Sequence, residues 1–207
     1  MKLAKENKPR WYFYLVWVAG HFIALIIAWF LAIGITLLMV TLVGDMIQVG
    51  GQEHITEDFL FTPIMLPVIG LVMGTLQYFL LRRYLPQMGW WIAATVAGWL
   101  LLFVLVPLLI ALLRGDNSVG SLMLGLLLIG VTIALPQWWM LRRRTERAFW
   151  WIILIAVSLS AGGVLRFVTS DPGTVVGFAV LYPLATGAAC WLMLRTPADS
   201  GEAAPLA

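Results

Sequence analysis

The chain has 207 residues, of which 62% are hydrophobic and 11% charged, with a net charge of +3. Soluble domains carry about 25% charged residues, so this composition excludes a soluble globular protein, and its ample apolar surface excludes a disordered one. The single Cys190 has no partner within the chain and excludes a disulfide framework, which leaves an integral membrane protein.

Lys2, Lys5, Lys8 and Arg10 open the chain, and from Trp11 to Gly44 there is no Asp, Glu, Lys or Arg. A helix over 11–43 would run roughly 50 Å, against a hydrocarbon core of about 30 Å, so it must tilt, kink or protrude. It is also too long for the apolar region of a cleaved secretory signal and reads as a retained anchor. The next segment, Gln52 to Phe61, reads as a short amphipathic helix on the membrane surface, with Phe59 and Phe61 dipping in. On such a helix His54, Glu57 and Asp58 share a face, a spacing suited to a divalent cation. The second histidine or thiolate that would make a zinc site persuasive is missing, and the surface helix is the favoured reading.

Further charge-free windows run from Phe59 to Leu81, Tyr84 to Leu113, Asn117 to Leu141, Ala148 to Leu165 and Pro172 to Leu194. They lack the alternation of barrel strands of about 10 residues, and inside lipid the backbone must satisfy its own hydrogen bonds. The spacing predicts helices over 62–81, 89–113, 119–141, 148–168 and 174–194, followed by a flexible tail over 196–207. The expected fold is all-α: one domain over 1–207, a polytopic bundle of six transmembrane helices. Pro107, Pro136 and Pro183 lie inside helices and should kink them. Ala24, Ala28 and Ala32 form a small-residue stripe on the first helix, and Gly70 and Gly74 make a G-x-x-x-G on the second, both suited to close helix contact.

Eleven of the thirteen basic residues fall on one side of this topology, including Arg82, Arg83, Arg142, Arg143, Arg144, Arg147 and Arg195. Arg114 and Arg166 lie on the other, with Asp45, Glu53, Glu57, Asp58, Asp116 and Asp171, so Arg166 can pair with Asp171 or Asp116 or snorkel to head groups. By the positive-inside rule both termini are cytoplasmic, as in a bacterial inner-membrane protein. The positive charge reflects topology and gives no reason to expect nucleic acid.

An internal repeat organises the centre of the chain. Gln77-Tyr78-Phe79-Leu80-Leu81-Arg82-Arg83 matches Gln137-Trp138-Trp139-Met140-Leu141-Arg142-Arg143 at an offset of 60 residues, and Trp90-Trp91-Ile92 matches Trp150-Trp151-Ile152 in the same register. A weaker copy, Cys190-Trp191-Leu192-Met193-Leu194-Arg195, ends the last helix; its partner is expected in the first, which opens Arg10-Trp11-Tyr12. The unit is a helical hairpin. Three hairpins result, one of them split between the two ends of the chain, all in one orientation, which excludes the inverted repeats of many transporters. A three-fold bundle and a side-by-side row both fit. The Gln-aromatic-x-x-Leu-Arg-Arg…Trp-Trp pattern resembles a group of small bacterial multi-pass membrane proteins of undefined function. That resemblance implies an architecture and no activity.

The Arg pairs Arg82/Arg83 and Arg142/Arg143, with Trp90 and Trp150, are candidate contacts for lipid head groups, anionic ones included, or for a ligand; generic topology signals are the favoured account of them. Gln77 and Gln137 recur about one turn inside the Arg pairs, and interhelical hydrogen bonding is favoured over ligand contact. His21, the one histidine inside a predicted span, is the candidate cofactor residue, for a proton, a substrate or the metal of a haem or chlorin; a neutral histidine bonded to a neighbouring helix is favoured. No catalytic motif appears, and no Asp or Glu lies inside a helix window. No cofactor is strongly implied. The leading expectation is a non-catalytic accessory or scaffold subunit, with other membrane subunits as partners, or a lipid-binding bundle. The alternative is a solute-binding subunit, similar in size and topology to the substrate-capture components of energy-coupling-factor transporters.

Overall fold

The computed structural model describes residues 11–85, 88–113, 118–169 and 177–195. Its elements in order are α1 (Trp11–Val43), β1 (Met46–Val49), β2 (Gln52–Ile55), α2 (Thr56–Leu81), α3 (Trp91–Leu100), α4 (Leu102–Leu112), α5 (Val119–Leu141), a 3-10 turn (Glu146–Ala148), α6 (Phe149–Thr169), a π-helical turn (Gly177–Leu181) and α7 (Tyr182–Arg195). Helices α1, α2, α3 with α4, and α5 are each long and apolar enough to cross a membrane. The expected tail over 196–207, the lysines before Trp11, and the residues Arg114, Asp116 and Asp171 lie outside the described residues, as does the side chain of Arg166.

Polarity is arranged for lipid. The buried face of α1 runs Phe13, Trp17, His21, Ala24, Ala28, Ala32 and Thr36, every third or fourth residue. Its outward face carries Leu15, Phe22, Ile23, Ile26, Phe30 and Leu37. Polar groups thus point in and apolar groups out, as they do where the surrounding medium is hydrocarbon. The chain is a membrane protein.

Helices adjacent in sequence pack together, α1 on α2, α2 on α3, α3 on α5, α5 on α6 and α6 on α7, and α7 returns to α1. Of the two arrangements the repeat allows, the helices adopt the closed ring and not the row. Glycines set the approach within it. A Cβ on Gly70 would stand 3.0 Å from the Val96 Cα, and one on Gly130 2.6 Å from the Ala156 Cα. These contacts are one contact repeated, since Gly130 and Ala156 each follow Gly70 and Val96 by the 60 residues that separate Gln77 from Gln137. At the seam, a Cβ on Gly187 of α7 would lie 2.9 Å from the Tyr14 ring of α1.

Two expectations are corrected. No surface helix forms over Gln52 to Phe61: β1 and β2 pair antiparallel, Met46 opposite Ile55, around Gly50 and Gly51. Both glycines have positive φ, 61° and 81°, the conformation a two-residue hairpin loop needs. Thr56 ties the hairpin base to α1 through its hydroxyl, 2.6 Å from the Gly44 carbonyl, and α2 begins there rather than at 62. The face shared by His54, Glu57 and Asp58 therefore does not exist, since His54 sits in a strand and turns its ring to Phe59, 5.3 Å away. Second, the helix expected over 89–113 is interrupted at Leu101, ahead of Pro107, where the Val104 amide donates to the Leu101 carbonyl three residues back at 3.2 Å. At Pro183, one residue into α7, the missing amide proton leaves the Ala179 carbonyl of the adjoining π-helical turn without its usual donor four residues on. The irregularity expected there is the preceding π-turn.

Candidate functional site

The repeat brings its most polar residues to one place. Gln77 near the end of α2 and Gln137 near the end of α5 are fully buried, and the return helix of each hairpin supplies an indole to meet them. Trp91 Nε1 donates to Gln77 Oε1 at 3.1 Å, and Trp151 Nε1 donates to Gln137 Oε1 at 2.8 Å. Because an indole nitrogen only donates, these bonds fix which end of each amide is oxygen. The two hairpins are then joined: Gln137 Nε2 donates to Gln77 Oε1 at 3.2 Å and to Thr95 Oγ1 at 2.8 Å.

His21 closes the network from α1. Its Nδ1 lies 2.8 Å from the Trp17 carbonyl, which only accepts, so Nδ1 carries the proton. Its Nε2 lies 3.0 Å from Gln77 Nε2 and must accept from it. Both ring nitrogens are engaged and the imidazole is neutral, since a second N–H would face an amide donor. Ligation of a haem or chlorin metal by His21 would have to break one of these bonds.

The third hairpin, α7 with α1, departs from the pattern in an informative way. Cys190 stands where Gln77 and Gln137 stand, and it offers no amide oxygen. Trp17 instead donates its Nε1 to Thr186 Oγ1, one turn along α7, at 3.0 Å. Trp17, and not the exposed Trp11, is therefore the counterpart of Trp91 and Trp151, and His21 follows it by four residues as Thr95 follows Trp91. The three buried indoles form one cluster, with Trp151 edge-on to Trp17 at 6.3 Å and to Trp91 at 5.7 Å. Such pairs contribute about 0.5–1.5 kcal/mol each beyond burial.

The Trp pairs thus divide their labour. Trp90 is 78% exposed and Trp150 37%, while Trp91 and Trp151 are in the core. The sequence motif shows two tryptophans side by side; only the helical phase, 100° between neighbours, tells which one turns inward. Of the Arg pairs, Arg82 lies over the Phe79 ring at 4.6 Å and Arg142 over the Trp139 ring at 3.4 Å, cation–π contacts on the outer surface.

At this arginine-bearing end a cavity of about 470 Å³ opens between the ends of α2, α5 and α7 and the start of α6. Arg142, Arg143, Arg144 and Arg147 line it together with Glu146, and Trp151 and Cys190 lie at its floor. Arg82 and Arg83 do not line it.

No protein-family model matches the chain, and neither does any curated protein or solved structure.

Proposed function

We propose that the chain is a non-catalytic bacterial inner-membrane protein of six spans, with both termini in the cytoplasm, acting as an accessory or scaffold subunit of a membrane assembly or as a lipid-binding bundle. One observation carries this reading: the polar groups at the centre of the ring bond to one another. Gln137 uses both amide hydrogens and its oxygen on Gln77, Thr95 and Trp151, and His21 uses both nitrogens. A catalytic or transport centre keeps polar groups aimed at a substrate; the Gln137 amide and the His21 imidazole are instead engaged within the bundle, an arrangement that serves rigidity. The outward surface, rich in Trp, Phe, Leu and Ile, is left to meet lipid or other membrane proteins.

Mild extraction from native membranes, followed by an absorbance spectrum and mass spectrometry of what travels with the chain, tests the proposal. A stable set of membrane subunits or lipids is the expected result. A lone bundle holding one small solute would overturn it in favour of the substrate-capture reading, and visible absorbance would return His21 to a cofactor role.

Orientation has its own test. In a Cys190→Ser background, a membrane-impermeant maleimide should label Gln48→Cys in spheroplasts and Glu146→Cys only after permeabilisation. The reverse pattern would overturn the cytoplasmic placement of the termini.

A further inference from the structure

We propose that the cavity at the arginine-bearing end binds a phosphate-bearing anion. Four arginines and one glutamate border it. Like charges held together around a small volume repel one another, and an anion among them removes that cost. Guanidinium groups present paired donors that match phosphate oxygens. The volume of about 470 Å³ suits a lipid head group or a small organic phosphate.

The repeat supplies the decisive comparison. Arg82 and Arg83 correspond to Arg142 and Arg143, and they already satisfy whatever topology asks of a cytoplasmic connection. The α5–α6 connection adds Arg144 and Arg147, where the α2–α3 connection has Tyr84 and Gln87 at the matching positions. The extra charge is specific to one copy, and it is the copy with the cavity. Topology gives no reason for that asymmetry; an anion does.

The phosphate has two sources, a membrane lipid or a soluble compound, and the test separates them. The full chain is reconstituted in phosphatidylcholine nanodiscs and challenged either with phosphatidylglycerol, read by native mass spectrometry, or with inorganic pyrophosphate, read by calorimetry. One retained phosphatidylglycerol identifies a lipid site, and saturable pyrophosphate binding identifies a soluble one; both support the proposal. Arg144→Gln with Arg147→Gln should weaken that binding about tenfold or more, the loss of charge-assisted bonds. Arg82→Gln with Arg83→Gln, an equal loss of charge, should change it less than about twofold. Arg147→Gln alone gives an intermediate loss and serves if the double variant elutes as aggregate. Equal weakening by both double variants would make the attraction a general surface charge and overturn the site, as would no binding of either probe. The inference uses only the membrane embedding of the function proposed above: failure here leaves a scaffold role intact, and isolation of the chain without partners leaves the site intact.

Discussion

Gln137 meets a neighbour with every group its amide has, and so makes a sharp test of what a polar side chain contributes inside this bundle. A single interhelical hydrogen bond in a membrane protein averages about 0.6 kcal/mol. Gln137→Leu should cost more, roughly 2 kcal/mol, because it orphans the Trp151 indole and a share of Gln77 and Thr95 at once. Gln77→Leu should cost as much, stranding Trp91 and His21. The double variant should lose clearly less than the sum, since each removes part of what the other uses. Unfolding in mixed micelles measures all three, and strict additivity would mean two separate sites. The recurrence of Gln77 and Gln137 inside the Arg pairs is legible in the sequence, and so is their role as interhelical partners. The identity of those partners is not: the Trp pairs stand out in the repeat, but which member of each turns inward, and that Thr95 joins them, is fixed only when the hairpins close. His21 is conspicuous by its chemistry alone, and only the depth it shares with Gln77 gives it a partner.

At the scale of the element, helix positions follow directly from the spacing of charge, and α1 and α5 occupy the residues expected. What the charge pattern hides is backbone detail. The Gly50-Gly51 pair between Val49 and Gln52 is a hairpin signal that the helical reading of Gln52 to Phe61 passes over. The interruption at Leu101 has no local residue that announces it. Glycine contacts give the element its test. Gly130→Ala should destabilise by about 1–3 kcal/mol, because the added methyl would meet the α6 backbone at Ala156. Gly34→Ala, with nothing within 4 Å of the new Cβ, should be neutral or stabilising by up to about 1 kcal/mol, the difference in helix propensity. Thermal stability in detergent reads both. Equal effects would mean that α5 and α6 do not approach closely.

For the whole molecule, the closed ring makes a prediction that a row of hairpins does not. Fragments 1–116 and 117–207, co-expressed, share two seams, α3 on α5 and α7 on α1. They should co-purify. Blocking the α7–α1 seam with Gly187→Leu and Thr186→Val should weaken the association without abolishing it, and no change at all would open the ring into a row. Three-fold organisation is legible as a repeat of two strong copies and one weak one, but closure is not, since a ring and a row share every local hairpin.

The split third hairpin also sets a timetable for assembly. Of the helices of the ring, α1 leaves the ribosome before the others and its neighbour α7 after them. Every other pair of neighbours is complete within a few dozen residues of synthesis, but the Trp17 indole has no Thr186 acceptor until 169 further residues have been made. Through that interval the inward face of α1 is exposed to the translocation machinery, to lipid and to other nascent helices. Ring closure therefore waits on the synthesis of every helix in the ring, and the seam between α1 and α7 is the place where a cell would need to guard the unfinished bundle.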